Sequence, residues 1–358
     1  RTDWADVAQV QQQDDEEKEE GAVAKRKKRG YGSSTEDESS DEDEEYVSSA
    51  DRILESNATL FTTSSSMLPL PPTLLSVTRV RDGNLPDPNN SVTNVVQFHP
   101  TAGKDYDGSA DSSDNPLLMT AGMDKMLRFF RVDGTENHKI HGIHFPTLPI
   151  TCASFIGDSG SQVVLSGRRS FFFVYDAASG SIERVPSIMG RKERSLEKFT
   201  VSPDGQVIAF LGNDGYIILV DGKSKQWIGD LKMNGSVRAV SFSADSEFVM
   251  GSGSDGDIYR WHVRSRRCVE RFHNEDGTIT SSMATSSNFM AVGAESGVVN
   301  LYNDKTPIRK KRDGLSVAMT ERTPVKSIMN MTSSADLVKF NDDGQILAMS
   351  TRRETNGL

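Results

Sequence analysis

The sequence is poor in cysteine and has no long apolar run. Its 358 residues include only two cysteines, Cys152 and Cys268, which are too far apart to form a metal-type or redox pair. Two thiols cannot supply the disulfide framework of a secreted module, so a reducing compartment is favoured. No apolar run approaches the roughly 18 residues of a membrane span, and no signal peptide is visible. Because the chain starts at Arg1 rather than Met, we expect it to be part of a longer protein.

Signatures of catalysis are also scarce. The only histidine cluster is His138, His141 and His144, whose spacing suits metal ligands on a helix but lies in a loop- and strand-like context. The glycine-rich stretch "GSGSDG" leads into a predicted strand, so it lacks the helix N-terminus that binds phosphate. No nucleophile motif frames a catalytic group. We therefore predict a protein that is not an enzyme and has no cofactor.

The acidic charge is concentrated in the first third of the chain. Residues 1–115 hold 24 acidic and 11 basic residues, whereas residues 116–358 hold 27 acidic and 30 basic ones. Residues 1–66 alternate acidic and basic blocks with few apolar groups, a composition too polar to offset the entropy lost on ordering. We predict that residues 1–66 are an acidic/basic N-terminal extension, largely disordered or ordered by a partner, and that residues 67–358 form a folded domain.

The extension contains two candidate regulatory segments. The basic run "KRKKR" is a candidate nuclear address or a segment that pairs with the adjacent acidic block. It consists of Lys25, Arg26, Lys27, Lys28 and Arg29. Four serines, each with an acidic residue three positions on, are candidate sites for acid-directed kinases, and phosphates there would deepen the negative charge. They are Ser33, Ser34, Ser39 and Ser40.

A phrase recurs along the folded domain: an aromatic or apolar anchor, a turn, a strand, a second turn and a second strand. The anchors are Phe98, Phe155, Phe199, Phe242, Met283 and Phe340. The middle steps are 44, 43 and 41 residues, which is the period of four-stranded propeller blades. The two outer steps are both 57 residues, so each is expected to contain an inserted loop. The spacing predicts an all-β propeller.

The segment "VMGSGSDGDIYRWHV" shows how one unit is built. Its small apolar first half is predicted to be an inner strand near the axis, and its second half alternates Ile258, Tyr259, Trp261 and Val263 with polar residues, as in a strand between neighbouring blades. Asp214-Gly215 and Asp255-Gly256 separate such strands, where a two-residue turn needs positive φ at both positions. Neighbouring blades must cover one another's faces.

Several long segments of residues 67–302 resemble a known family. They are "PITCASF", "GRKERSLEKFTVSPDG", "IAFLGNDGYIILV", "KSKQWIGDLKMNGSVRAVSFS", "GSGSDGDIYRWHVRSRRC" and "AVGAESGVVNLY". They are similar to the WD40-repeat subunits among the U3 small nucleolar RNA-associated proteins. The Trp-Asp position of the repeat is degenerate, and the usual Gly-His start is absent, which puts the repeat's Asp-His-Ser/Thr-Trp hydrogen-bond tetrad in doubt. The degenerate pairs are Tyr175-Asp176, Val220-Asp221, Trp261-His262 and Tyr302-Asn303.

The resemblance implies a WD40-type β-propeller of seven blades, the last incomplete in this chain. A seventh blade or closing strand is then expected beyond Leu358, and "LPPTLLSVTRV", before Phe98, is a candidate outer strand for it. The family's motif for an exosome-associated RNA helicase, Leu-Phe-x-apolar-Asp, is only half matched by Leu60-Phe61-Thr62-Thr63-Ser64. The helicase contact is therefore expected from a segment before Arg1.

The resemblance also implies a function. We expect a non-enzymatic scaffold subunit of a multisubunit UtpB-type complex in the small-subunit processome. Such a subunit would support pre-18S ribosomal RNA processing and early 40S assembly. The partners would be other processome proteins, the U3 snoRNP and pre-ribosomal RNA, in the nucleus and nucleolus, with no membrane. The residues alone also allow a WD40 adaptor of another nuclear complex, such as a ubiquitin-ligase substrate receptor or a chromatin reader. A propeller enzyme would need convergent titratable groups at the channel mouth.

Three basic stretches are candidate contacts to RNA or to an acidic partner, because clustered cations suit phosphate contacts that do not read sequence. The first is Arg309, Lys310, Lys311 and Arg312, in the long step before the last anchor. The second is Arg264, Arg266 and Arg267, after the segment described above. The third is Arg191, Lys192 and Arg194. Ordinary solvated loops are the alternative, since no aromatic residues interleave with the charges.

Overall fold

The computed structural model describes residues 77, 79–102, 115–157, 159–188, 190–191, 193–275, 279–304 and 319–354. All of them fall within one compact unit of the chain, residues 64–358. Over these residues the regular secondary structure consists of β-strands, and no helix occurs among them. The predicted all-β class is confirmed, while the predicted domain boundary at residues 66 and 67 stays a prediction.

Over the described residues the strands form six sheets, each built from consecutive strands of the chain except that β20 joins the fourth sheet. The first sheet contains β1 (Thr93–Phe98), β2 (Leu117–Gly122), β3 (Met126–Arg131) and β4 (Lys139–His144). The second contains β5 (Cys152–Ile156), β6 (Gln162–Ser166), β7 (Phe172–Asp176) and β8 (Ile182–Val185). The third contains β9 (Phe199–Val201), β10 (Val207–Leu211), β11 (Tyr216–Asp221) and β12 (Trp227–Lys232).

The remaining sheets depart from this plan in two places. The fourth contains β13 (Val237–Phe242), β14 (Phe248–Gly253), β15 (Asp257–His262) and β16 (Arg267–His273), with β20 (Met319–Thr320) added in parallel to β16. The fifth contains β17 (Thr280–Thr285), β18 (Phe289–Ala294), β19 (Val299–Asn303) and β21 (Lys326–Ile328). The sixth contains β22 (Leu337–Phe340) and β23 (Leu347–Ser350).

The predicted repeat is confirmed, because every anchor lies on the first strand of a sheet. Phe98 ends β1, Phe155 lies in β5, Phe199 begins β9, Phe242 ends β13, Met283 lies in β17 and Phe340 ends β22. The extra residues of the two long steps fall between β1 and β2 and between β19 and β21. Most of them, residues 103–114 and 305–318, lie outside the described residues, so the expected inserted loops stay a prediction.

The first strands of successive sheets contact one another, so they line the centre of the propeller. Side-chain donors on these strands and their connectors reach carbonyl oxygens in the next sheet's segment. Asn94 donates to the Ile150 carbonyl (2.9 Å), and Thr200 donates to the Val240 carbonyl (3.1 Å). The prediction that "VMGSGS" is the inner strand is therefore wrong. β14 is the second strand of its sheet, and β13 lies inside it.

The second strand of a sheet buries both of its faces, which explains its continuous apolar sequence. In β10, Ile208 and Phe210 pack toward the second sheet, while Val207 and Ala209 pack toward the fourth. Five such apolar clusters separate the six sheets in order. A strand buried on both faces reads as an apolar run rather than an alternation.

Polar networks tie the connectors to the third strands in place of the repeat's usual tetrad. In the first sheet, buried Arg128 pairs with Asp87 of the preceding connector (2.9 Å) and with Asp124 (2.5 Å). Between the fourth and fifth sheets, the Tyr302 hydroxyl donates to the Asn274 side-chain oxygen (2.8 Å), which also accepts from Asn300 (3.1 Å). In both places, these residues join a connector to the third strand of a sheet.

The two predicted Asp-Gly turns differ. Asp214 and Gly215 both have positive φ (53° and 80°), as predicted. At Asp255-Gly256 only Gly256 does (72°), so that half of the prediction is wrong. The Gly256 amide reaches back to the Gly253 carbonyl (3.5 Å), which makes Gly256 the last residue of its turn rather than a central one. Only the central positions of a mirror-image turn need positive φ together.

The predicted closing strand is not supported by its described residues. Val77, Arg79 and Val80, the described part of "LPPTLLSVTRV", are not in a strand. The rest of that segment lies outside the described residues. The sixth sheet has two strands, and a seventh blade is not found among the residues that the structure describes, so seven blades stay a prediction.

Replacing Arg128 by alanine should lower the free energy of unfolding by about 3 to 5 kcal/mol, because Asp87 and Asp124 would keep their charge without a partner. The matched control is Arg131→Ala, on the same strand but exposed, with an expected change within about 0.5 kcal/mol. Urea denaturation followed by circular dichroism measures both. Equal losses for the two variants would contradict the role given to Arg128.

His99 should make stability depend on pH. Its Nδ1 accepts hydrogen bonds from the Thr101 and Ala102 amides (3.2 and 3.0 Å), and burial lowers its pKa below the usual 6.5. The unfolded chain therefore takes up the proton first, so this stabilisation is complete above about pH 6.5 and is lost as pH falls through the folded pKa. Between about pH 7.5 and 5.5 the melting temperature should fall further for the wild type than for His99→Gln. Parallel pH profiles would overturn this.

Candidate interaction surface

The basic turn between β15 and β16 projects from the outer part of the fourth sheet. Arg264, Arg266 and Arg267 are all exposed. Arg266 has positive φ (55°), and its Nη1 donates to the Ile228 carbonyl of the third sheet (2.7 Å). Arg266 therefore joins two sheets, whereas no such contact to another sheet is found for Arg264 and Arg267 among the described residues. These two are the candidates from this stretch that face solvent.

Arg309, Lys310, Lys311 and Arg312 lie outside the described residues, but both ends of their insertion are described. Where the insertion leaves, Asp304 pairs with Arg260 of β15 (3.0 Å), and both side chains are buried. The Arg260 guanidinium also lies over the Phe248 ring, 4.3 Å from its centroid. The departing chain is therefore fixed to the fourth sheet by a desolvated ion pair.

The returning end is held by the strand next to Arg260. Glu270 of β16 lies directly opposite Arg260 and binds Arg322 through two nitrogens, each at 2.8 Å. The Thr320 hydroxyl also donates to Glu270 (3.2 Å), and Arg322 donates to the Asn303 carbonyl (3.2 Å). Arg322 thus links the returning end directly to the departing end, so the insertion carrying the four cations has a fixed base.

The turn after β15 and the described start of the insertion after β19 lie at the same end of their sheets. β13 and β17 run in the same direction. Near their last residues, the Ser241 and Thr285 hydroxyls are 2.9 Å apart. Near their first residues, the hydroxyl of Ser252, which lies opposite Ala239 of β13, is 2.7 Å from the hydroxyl of Thr280. The turn after β15 and the insertion after β19 both lie at the end where these first strands finish. We call it the basic end.

The neighbouring turn of the third sheet adds a cation that sequence reasoning missed. Lys223 is exposed on the turn between β11 and β12, at the same end, since the Asp204 amide donates to Ser246 between the corresponding inner turns (3.1 Å). Those inner turns carry acidic residues, including Asp204 and Asp245. The basic end therefore has described cations on the outer turns of the third and fourth sheets and acids nearer the centre, and the insertion that contains residues 309–312 starts from the same end of the fifth sheet. Only the sheet topology brings these separate turns together.

The third predicted stretch lies at the opposite end, in the connector between β8 and β9. Arg191 already has partners in this chain, because it pairs with Asp230 (2.8 Å) and Glu193 (2.9 Å). Its guanidinium carbon also lies over the Tyr216 ring, 4.4 Å from the ring centroid. Arg194 is exposed, and Lys192 lies outside the described residues. The structure therefore does not join this stretch to the other two.

The three histidines that are clustered in sequence do not converge in the structure. His141 and His144 lie on β4 three residues apart, which puts them on opposite faces of a strand, and His138 is in the preceding turn. Within the described part of the chain, no group of three or more His, Cys, Asp or Glu residues could hold a metal ion. Burial raises the pKa of both cysteine thiols, Cys152 and Cys268, which disfavours the reactive thiolate.

Several predicted residues lie outside the described ranges, so the structure gives no account of them. They are the candidate nuclear address at 25–29, the candidate phosphorylation sites at Ser33, Ser34, Ser39 and Ser40, and the Leu60-Phe61 segment. A search of the described residues finds no helix of the length and apolar character required to cross a bilayer.

The chain is similar to a known repeat family over one stretch. The family described as WD domain, G-beta repeat (WD40) matches residues 226–262. These residues run from the start of β12 to the end of β15, so the matched repeat joins the outer strand of the third sheet to the first three strands of the fourth.

Longer relatives resemble most of the chain. A U3 small nucleolar RNA-associated protein 18 homolog from Arabidopsis thaliana is 40% identical over 286 residues, which cover 79% of this chain and 48% of the relative. The protein of that name from Homo sapiens is 33% identical over 303 residues, covering 84% and 50%. U3 small nucleolar RNA-associated protein 18 from Saccharomyces cerevisiae is 24% identical, covering 87% and 57%. The chain spans about half the length of the curated relatives it matches.

Replacing Glu270 by glutamine should loosen the base of the insertion, because Arg322 would lose its charged partner. A charge-assisted pair of this kind is worth about 1.5 to 3 kcal/mol, so the amides of residues 319–322 should exchange with deuterium roughly 10-fold faster or more. The control is Glu295→Gln, whose exposed pair with Arg353 spans 3.5 Å and should matter little. Unchanged exchange at residues 319–322 would show that Glu270 does not fix this end.

Proposed function

Because this chain belongs to the WD40-repeat proteins and is homologous over most of its length to proteins named U3 small nucleolar RNA-associated protein 18, we propose that it is a non-enzymatic scaffold subunit of the small-subunit processome. In that role it would support pre-18S ribosomal RNA processing and early 40S assembly together with the U3 snoRNP, in the nucleolus. The relatives' shared name, in organisms as distant as a plant and a yeast, is the observation that carries this proposal.

The geometry supports a scaffold rather than a catalyst. The propeller offers several rigid surfaces at once, and its polar networks join connectors to strands instead of converging on one reaction centre. Partners bound to different sheets would be held at fixed separations, which is the contribution a scaffold makes to an assembly. The exosome-helicase contact concerns a segment before Arg1 and stays a prediction.

The basic end supports direct contact with RNA. Cations on adjacent outer turns can follow a phosphate backbone without reading its bases, and such binding weakens as salt rises. The acids nearer the centre would repel the same backbone, which favours a path along the rim rather than across the channel. We propose that Arg264, Arg267 and the cations at 309–312 contact RNA there.

The scaffold proposal is tested by purifying the tagged full-length protein from cell extract and sequencing the RNA that comes with it, with mass spectrometry of the proteins. Enrichment of U3 RNA, pre-ribosomal RNA and other processome proteins is expected. Recovery of ubiquitin-ligase subunits or histones instead would overturn the proposal and favour a WD40 adaptor of another nuclear complex.

The RNA contact is tested separately by charge reversal. Glutamate at Arg264, Arg267 and residues 309–312 should lower ultraviolet crosslinking of the protein to RNA roughly 10-fold or more, because each lost phosphate contact weakens a salt-dependent interaction. The control is Arg194→Glu, an exposed cation at the opposite end, which should leave crosslinking unchanged. Full crosslinking by the reversed protein would exclude this surface. Loss of protein partners with crosslinking intact would assign the surface to an acidic protein.

A further inference from the structure

The outer edge of the fourth sheet accepts an additional strand. β20 pairs in parallel with β16, with Met319 opposite Arg271 and Thr320 opposite Phe272. Side chains reinforce this pairing, because Arg322, two residues after Thr320, binds Glu270 of β16. An exposed edge strand offers unpaired amide and carbonyl groups, and an extended segment can satisfy them. The chain itself therefore shows what binds at such an edge.

The third sheet has the same edge without such a strand. β12 occupies the equivalent outer position, and no described strand pairs with its free side. The two edges can be aligned residue by residue on one bulge in each strand, at Ile228 in β12 and at Val269 in β16. The pair opposite β20, Arg271 and Phe272, therefore corresponds to residues 230 and 231 of β12.

Apolar side chains stand beside this free edge. Trp227 is 46% exposed and Ile228 is 36% exposed, and they are adjacent at the start of β12. The Trp227 indole nitrogen donates to Asp230 (2.9 Å), which holds the ring against the strand. A fixed, half-exposed tryptophan beside an isoleucine is a costly arrangement in water and is typical of binding hot spots.

At one position of this edge, the third sheet presents a cation where the fourth sheet presents an acid. The residue that corresponds to Glu270 is Gly229, and the Arg266 guanidinium occupies the space beside it, where a side-chain carbon on Gly229 would come within 2.7 Å of Nη1. In the fourth sheet the acid Glu270 binds Arg322, which follows the added strand. In the third sheet the cation Arg266 takes the place of Glu270, so an added strand there would be followed by an acidic residue. The incoming segment should therefore carry Asp or Glu where β20 is followed by Arg322.

We propose that β12, with Trp227, Ile228 and Arg266, is a docking edge for an extended acidic segment of a partner protein, which adds to the third sheet as a fifth strand. The apolar pair supplies the buried contact, backbone pairing supplies the register, and Arg266 selects the acid. This edge is distinct from the basic end's solvent-facing cations, and its assignment does not rest on the proposed function.

The first test replaces Trp227 by p-benzoylphenylalanine in the full-length protein and irradiates cell extract, with mass spectrometry of the crosslinked peptide. The same replacement at Ile182, an exposed residue of the outer strand of the second sheet, is the control. The expected result is one peptide from another protein, with an Asp or Glu within a few residues of the crosslink, seen from position 227 and not from 182. Crosslinks to RNA, to this chain itself, or to many unrelated peptides would overturn the proposal.

The second test uses that peptide, synthesised, against the full-length protein. Arg266→Glu should weaken binding roughly 10-fold or more, and a peptide with its acid replaced by lysine should recover most of that loss on the variant while binding the wild type poorly. Amides of residues 227–232 should exchange more slowly in the wild-type complex. Equal affinities of both peptides for both proteins, or unprotected amides, would overturn strand addition at this edge.

Discussion

Each sheet of this propeller depends on its neighbours, because its central strands are apolar on both faces. β10 shows the constraint most clearly: its alternate residues belong to two different cores, one shared with the second sheet and one with the fourth. A sheet of this kind would expose two apolar faces if it stood alone. Asn94 and Thr200, on the inner strands β1 and β9, donate to carbonyl oxygens of the next connector and the next inner strand. Hydrogen bonds therefore join the same neighbouring sheets that apolar packing joins.

This constraint leaves turns, connectors and outer strands to vary. In the fourth sheet, Arg260 of β15 and Glu270 of β16 lie opposite each other on adjacent strands. Arg260 binds the departing end of the insertion and Glu270 binds its returning end. Both ion pairs are buried, so their interaction is screened little by salt, and breaking either would leave a desolvated charge. The exposed cations of the outer turns experience strong screening instead. The insertion is thus attached by ion pairs that salt hardly weakens, whereas the contacts proposed for the basic end would weaken as salt rises.

The sequence predicts the repeat and the fold class well, since period and apolar runs are local properties. It places the innermost strand wrongly, because small residues suggest a crowded axis, whereas β13, which lies inside β14, includes Arg238 and Phe242. Only the sheet order shows which strand is innermost. It treats Arg191 as a free cation, although Asp230, which neutralises it, lies 39 residues further on. No sequence pattern pairs Ile228 with Arg266, because the two residues meet across two sheets. Contacts between sheets are what single-sequence reasoning cannot supply.

The offset between the WD40 match and the sheets has a consequence for how such a chain can grow. Residues 226–262 include the last strand of one sheet and the first three of the next, so the unit that is copied is not the unit that packs. If a segment of this kind is duplicated, its first strand completes an existing sheet and its other three strands begin a new one. Each added copy is therefore anchored on arrival by backbone pairing to an established neighbour, and lineages can change the number of copies without passing through a form whose parts are joined only by a linker.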